Sequence, residues 1–199
     1  MGVAIRRAGA SDRADAVGLL DEAFMADPVS SWLFPDEERR RSRHGALMAA
    51  FVDLAFAEGH VDIAEDGSAV ALWWSVPARE AHEDAAEGAA QLRQAVDPDN
   101  ERVEAIARLT SEVHPTDRPH QYLHMIAVRP EQQGEGLGTA LVAPVLARCD
   151  RDGRHAYLEA SNARSRELYL RLGFADLGTA FDLPDGPRMW PMWREPQSV

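Results

Sequence analysis

A strand, a glycine-rich turn and a helix follow one another directly in the second half of the chain, and they constrain the fold more than any other feature. The apolar run from Tyr122 to Val128 predicts a strand, and apolar side chains from Leu137 to Leu146 recur at helical spacing. Glycines at positions 134, 136 and 138 lie between them. Such a turn lets backbone amides approach an anion at a helix N-terminus, so it predicts either a diphosphate site or only a tight connection.

The spacing of these glycines excludes two common nucleotide-binding motifs. No Lys-Ser or Lys-Thr follows them, as a P-loop would require. The segment from Gly134 to Gly138 also lacks the G-x-G-x-x-G spacing of dinucleotide folds. Any phosphate bound at this turn would therefore be held in another way.

The remaining elements predict a mixed α/β sheet with helices on both faces. A first helix should have Ser11 as its N-cap and end at Asp27-Pro28, and Asp66-Gly67 predicts a hairpin. The polar, helical region between Pro77 and Pro119 predicts two short helices. The other predicted elements are helices over Asp36 to Glu58 and Asn162 to Leu172, and strands over Ala4 to Arg7, His60 to Ala64, Ala69 to Val76, Ala156 to Glu159, Phe174 to Asp182 and Arg188 to Arg194.

Composition limits the number of domains and the kinds of partner. A chain of 199 residues with 45% hydrophobic content predicts one domain or at most two small ones, and we expect a single domain over residues 1–199. A formal net charge of -12 disfavours nucleic acid as a partner. No apolar run approaches the roughly 18 residues of a membrane helix, and the N-terminus lacks a secretory signal, so we expect no membrane partner and a cytoplasmic location. The single Cys149 predicts a buried helix residue, and the histidines show no metal-ligand spacing, so we expect no metal.

Two motifs carry a family resemblance. The chain resembles the GNAT superfamily of acetyl-CoA-dependent N-acetyltransferases in Gln133-x-x-Gly136-x-Gly138 after Ala127-Val128, and in Asn162-x-x-Ser165-x-x-x-Tyr169 before Leu172-Gly173-Phe174. It further resembles puromycin N-acetyltransferases and their relatives at Ala64 to Trp73, Gly136 to Pro144 and Leu183 to Trp190. Pro144, which should kink its helix, has a counterpart there.

The resemblance implies a fold, a co-substrate and the residues that bind it. The fold would be GNAT-like, a mostly antiparallel twisted sheet with a splayed central strand pair. Acetyl-CoA would be the co-substrate, its pantetheine arm bound along the splayed strand as an added strand would be. The implied residues are Ile126, Ala127 and Val128 for the pantetheine, Gln133, Gly134, Glu135, Gly136, Leu137, Gly138 and Thr139 for the pyrophosphate, and Asn162, Ser165 and Tyr169 on the next helix, where Asn162 would bind the pantetheine amide.

Glu135 departs from the family pattern. Members commonly carry Lys or Arg at this position, so a carboxylate here should weaken acetyl-CoA binding without abolishing it, since the turn acts mainly through backbone amides. Arg129, Arg164 and Arg166 are candidate partners for the outlying phosphate, or solvated charges.

The resemblance also implies direct transfer of the acetyl group to an amine, with three catalytic candidates. Tyr169 would donate a proton to the departing thiolate, or is only a packing aromatic. Glu159 is the first candidate base for the amine proton, or orients a neighbour. His124 is the second, or is a histidine of the core or outer face.

The acceptor is expected to be a primary amine of a small molecule, such as an aminonucleoside or antibiotic. A site made by the N-terminal helices and last strands would use Phe24, Asp27, Trp32, Phe34, Trp73, Trp74, Phe181, Trp190 and Trp193, or most of these are core. The alternatives are a catalytically idle acyl-CoA-binding sensor and a transferase for a larger acyl group such as succinyl. We expect a monomer or a homodimer.

Overall fold

The backbone of the chain forms a mixed sheet flanked by helices in a computed structural model that describes residues 3–78 and 85–198. The strands are β1 Ile5–Arg7, β2 Gly59–Ala64, β3 Ala69–Val76, β4 His120–Val128, β5 His155–Ala160, β6 Ala175–Asp176, β7 Phe181–Asp182 and β8 Arg188–Arg194. Their order in the sheet is β1-β2-β3-β4-β5-β8-β6, with β7 paired to β8, and every pairing is antiparallel except that of β4 with β5.

Helices cover both faces of the sheet, as the sequence predicts. The helices are α1 Arg13–Phe24, α2 Pro28–Leu33, α3 Glu37–Glu58, α4 Ala85–Val96, α5 Arg102–Val113, α6 Leu137–Asp152 and α7 Ala163–Arg171. Side chains of β3 alternate between two cores: Val70 and Leu72 face a cluster with the N-terminal helices, and Ala71 and Trp73 face a cluster with α6 and α7. In the described ranges none of them is both long and apolar enough to span a membrane.

Most predicted elements are present, and some boundaries differ. Ser11 is not a helix N-cap, because it lies inside a short 3-10 turn that leads into α1. Asp27 is the N-cap of α2 and Pro28 is its first residue. The sequence pattern did not predict this helix. The segment from Phe174 to Asp182 contains two short strands, and α6 continues through Pro144. Within the Pro77 to Pro119 region both short helices are present, while residues 79–84 lie outside the described residues.

Two irregularities of β4 shape the centre of the molecule. Leu72 of β3 pairs with Met125 and the next residue, Trp73, pairs with Leu123, so His124 is the extra residue of a bulge. On its other edge β4 pairs with β5 only as far as Tyr122. Beyond that point the two strands separate, which agrees with the expected splayed pair.

Candidate active site

A cleft of about 380 Å³ lies between the end of β4, the glycine-rich turn and α7. All but one of the thirteen implied co-substrate residues line it. Glu135 is the exception, since it is exposed and outside the lining. The lining residues from that set are Ile126, Ala127, Val128, Gln133, Gly134, Gly136, Leu137, Gly138, Thr139, Asn162, Ser165 and Tyr169.

The glycine-rich turn presents the amino end of α6 to this cleft. Gly134 and Gly136 have φ angles of 92° and 88°, a left-handed backbone that glycine adopts without the strain of a Cβ. Gly136 is the N-cap of α6, so the first amides of that helix have no partner within it. Gln133 holds the turn in place, because its amide donates to the Val128 carbonyl at 3.2 Å and accepts from Arg164 at 3.1 Å. The arrangement suits an anion.

The backbone of β4 borders the same cleft. Residues 126–128 pair with β3 on one side, and their β5 side is free of strand pairing because β5 has already separated. An extended ligand with amide groups can therefore bind there as an additional strand.

Asn162 has a structural role as well as a place in the cleft. It is the N-cap of α7, its Oδ1 accepting from the Ser165 amide at 2.8 Å, so it precedes the helix in which the sequence reasoning placed it. Its Nδ2 lies 3.4 Å from the Ser161 hydroxyl. Asn162 therefore positions α7, and with it Tyr169, relative to the end of β5.

A second cavity, of about 250 Å³, adjoins the cleft on the side of the N-terminal helices. The two spaces share a set of lining residues that marks their junction: Phe24, Asp27, Ile126, Asn162, Ser165 and Tyr169. Of the nine predicted acceptor residues only Phe24 and Asp27 line this cavity. Trp32, Phe34, Trp73 and Trp193 are buried in the core instead.

Tyr169 lies at the junction of the two spaces. Its side chain is 5% exposed and its ring packs edge-on against Phe174 at 5.9 Å. Its hydroxyl has no hydrogen-bond partner among the described residues, and burial raises its pKa above the ordinary value for tyrosine. The phenol is thus protonated at neutral pH and free to donate to a ligand.

Tyr122 joins the two base candidates, and the sequence reasoning missed it. Its hydroxyl donates to Glu159 Oε2 at 2.8 Å and lies 3.1 Å from Nδ1 of His124. All three side chains line the second cavity. Since the hydroxyl proton goes to the carboxylate, Nδ1 of His124 must donate to the phenolic oxygen, which leaves a lone pair on Nε2. Tyr122 and His124 are alternate polar positions in an apolar strand, and this alternation was the sequence signal that could have linked them.

Burial keeps His124 and Tyr122 uncharged. It lowers the pKa of His124 to about 4 and raises that of Tyr122 well above its usual value, with the Glu159 charge adding to the second shift. The His124 ring packs edge-on against Phe51 and Trp74, each at 4.7 Å. Burial also raises the pKa of Asp27, which accepts from the Val29 amide and from the Ser161 hydroxyl.

Two further histidines lie behind Glu159. Nδ1 of His114 is 3.8 Å from Glu159 Oε1, and its Nε2 is 3.0 Å from Nε2 of His120. His120 is fully buried, donates to the Arg118 carbonyl, and has a pKa lowered by burial to about 4. The residue after α5 thus places one imidazole beside the Glu159 carboxylate, and the start of β4 places a second imidazole beside the first.

The other singled-out residues have varied surroundings. Arg164 lines the cleft, whereas Arg166 pairs with Asp176, and Arg129 borders a separate surface groove. Cys149 is buried in α6, as predicted. In residues 3–78 and 85–198 no group of three or more His, Cys, Asp or Glu side chains is arranged to hold a metal ion.

Comparison with known proteins identifies the family. The model of the acetyltransferase (GNAT) family matches residues 30–174, which include the turn, both base candidates and Tyr169. The chain belongs to the GNAT acetyltransferase family. It is therefore an acyltransferase, as the sequence resemblance implied, and the GNAT-like sheet is confirmed. The narrower resemblance to puromycin N-acetyltransferases stays a prediction.

Individual GNAT relatives are distant in sequence. Mycothiol acetyltransferase of Paenarthrobacter aurescens strain TC1 is 36% identical over 83 residues, which are 39% of this chain but only 25% of that protein. An uncharacterized N-acetyltransferase of Schizosaccharomyces pombe is 25% identical over 190 residues, or 86% of this chain and 74% of that one. A crystal structure of histone acetyltransferase HPA2 and related acetyltransferase from Corynebacterium glutamicum matches with a TM-score of 0.74 and 27% identity, covering 100% of this chain and 99% of that one.

Proposed function

We propose that this GNAT protein is an acetyl-CoA-dependent N-acetyltransferase that moves an acetyl group directly to a primary amine of a small molecule. The observation that carries the proposal is the position of Tyr169, where the cleft beside the glycine-rich turn meets a cavity that contains Glu159 and His124. Tyr169, as a proton donor, thus lies between a space for the acetyl donor and a space for the amine that accepts the acetyl group.

The cleft has the groups that acetyl-CoA needs. The free amides of the turn and the N-terminal end of α6 suit a pyrophosphate, and the open edge at residues 126–128 suits the amides of a pantetheine arm. Arg164 adds a positive charge at the border of the cleft. Bound there, acetyl-CoA supplies an activated carbonyl carbon and a thiol leaving group.

The amine must lose a proton before it can attack that carbon, because an ammonium group has no lone pair and alkylamines have pKa values near that of Lys, about 10.4. Nε2 of His124 is available as the acceptor of this proton. His124 then passes its Nδ1 proton to the oxygen of Tyr122, and Tyr122 passes its own proton to Glu159 Oε2. His124 and Tyr122 each receive one proton and release one, and Glu159 holds the last proton, so the two base candidates act in series.

Tyr169 acts on the leaving group. Its hydroxyl proton goes to the departing sulfur, which becomes a neutral thiol. The nitrogen loses its second proton as the amide forms, and this proton restores the Tyr169 hydroxyl. Proton transfer of this kind typically contributes about 10²- to 10⁴-fold to a rate. The new carbon–nitrogen bond replaces the carbon–sulfur bond, and no serine or cysteine nucleophile is required.

The test is release of free thiol from acetyl-CoA with a panel of amines, alongside calorimetric binding of acetyl-CoA. The panel should include puromycin, other aminonucleosides, aminoglycosides, polyamines, alkylamines and amino acids. We expect binding of acetyl-CoA and release with one class of amine, and loss of release in Glu159→Gln.

Two results would contradict this proposal. Binding without release from any amine would favour an idle sensor. Release from succinyl-CoA but not from acetyl-CoA would favour a transferase for larger acyl groups.

A further inference from the structure

We propose, building on the amine acetyltransferase function above, that the acceptor is a primary monoamine with an apolar body, and that polycationic amines are excluded. The inference rests on how charge is distributed around the second cavity. Its two carboxylates come from the start of α2 and from β5, and the walls from α3 and α4 and most of the α5 wall are apolar.

The apolar walls come from the helices on one face of the sheet. Met48 and Phe51 of α3 line the cavity beside Leu92 of α4, and Val103 and Ile106 of α5 complete this side. No charged side chain of α3, α4 or α5 is part of the lining in the described residues. Polar groups on a ligand in contact with these helices would lose hydrogen bonds to water without replacement, so the body of the ligand must be apolar there.

The negative groups of the lining come from the start of α2 and from β5. Asp27 lines both spaces, and its Oδ2 is 3.4 Å from the hydroxyl of Ser161. Glu159 is two residues before Ser161, and it is the other carboxylate among the described lining residues. An ammonium group bound near Ser161 would thus have these two carboxylates as the negative groups of the cavity lining before it is deprotonated.

A second ammonium group would have no such partner. On a diamine whose first amino group is at the reacting position, the second group would lie among the α3 and α5 side chains. An unpaired charge is strongly disfavoured there. A polyhydroxylated amine would leave its hydroxyl groups without hydrogen bonds in the same region. The apolar walls therefore select against these amines more than they favour any one apolar shape.

A matched pair of amines tests the inference directly. Hexylamine and 1,6-diaminohexane have the same carbon chain and differ in the second amino group. We expect hexylamine to have a kcat/KM at least about tenfold higher, and the diamine to bind correspondingly more weakly to the CoA-saturated protein in calorimetry. Equal kcat/KM values and equal affinities for the two amines would overturn the inference.

Thr110 provides a variant that should reverse the preference. It lines the cavity from α5, and its hydroxyl donates to carbonyl groups of its own helix, at Ile106 and Ala107. Thr110→Asp adds a carboxylate to the apolar wall, and we expect the ratio of kcat/KM to shift toward the diamine by at least about tenfold. Thr110→Asn is the matched uncharged control and should keep the preference for the monoamine within about threefold of wild type.

The ratio separates this inference from the proposed function. Partial unfolding of a variant lowers both rates and leaves their ratio unchanged, so an unshifted ratio in Thr110→Asp would count against the inference. Selective binding of hexylamine without thiol release would support the shape of the cavity while contradicting the acetyltransferase proposal.

Discussion

Replacement of Tyr169 by Phe removes one oxygen atom from the junction of the two cavities. The ring remains, so its burial and its edge-on contact with Phe174 are retained. The lost hydroxyl has no hydrogen-bond partner among the described residues, so no internal hydrogen bond is broken. We therefore expect the free energy of unfolding to change by no more than about 0.5 kcal/mol.

The catalytic effect of the same change should be much larger. If Tyr169 protonates the leaving thiolate, its loss should lower kcat by about 10²- to 10⁴-fold, which corresponds to roughly 3 to 5 kcal/mol of barrier. Since the raised pKa keeps the phenol protonated throughout the usual assay range, this loss should be similar from pH 6 to about pH 9. The affinity for acetyl-CoA should change little.

Thiol release gives kcat, calorimetry gives the affinity for acetyl-CoA, and urea unfolding gives stability. Tyr157→Phe removes the same atom from another buried tyrosine and is a matched control for the change in stability alone, because Tyr157 lies beside Glu159 and Tyr122. An unchanged kcat in Tyr169→Phe would refute the assignment. An equal loss of stability and activity would instead indicate a packing role.

Two further changes test the turn and the buried histidines. Glu135→Lys reverses an exposed charge in the turn and should lower the Kd for acetyl-CoA by about two- to fivefold at low salt. A higher or unchanged Kd in calorimetry would contradict this. His120 has a pKa of about 4 when folded and about 6.5 when unfolded, so the unfolded chain takes up the proton first and stability falls as pH drops from about 6.5 to 4. The loss should reach up to roughly 3 kcal/mol by urea unfolding, and His120→Gln should lessen this pH dependence; an equal slope in the variant would show that other groups cause it.

Local elements and the co-substrate cleft were largely predictable. The bounds of β3 and β8 agree with the sequence pattern, and the cleft residues lie in two short motifs. Contiguous residues give such a site most of its geometry, because a turn and the helix that follows it are positioned by their own backbone. Asn162 shows the limit, since its motif indicated a binding role and the structure also shows it as the N-cap of α7.

The second cavity was not predictable in the same way. Its walls combine residues from α3, α4, α5 and β4, which are far apart in the chain and meet only when the sheet is formed. Aromatic content alone pointed to tryptophans, but Trp32 and Trp73 bury their large apolar surfaces in the core. Packing, not residue type, decides which apolar side chains remain to line a cavity.

The sequence by itself indicated the mixed sheet and the glycine-rich turn, because strand periodicity and glycine positions act over a few neighbouring residues, and two motifs carried the resemblance to the family. Only the tertiary structure decided how the catalytic candidates are connected. The bulge at His124 and the early separation of β4 from β5 bring Tyr122 between Glu159 and His124, 37 and 2 residues away in the chain. Such contacts depend on strand register, which is set by long-range pairing.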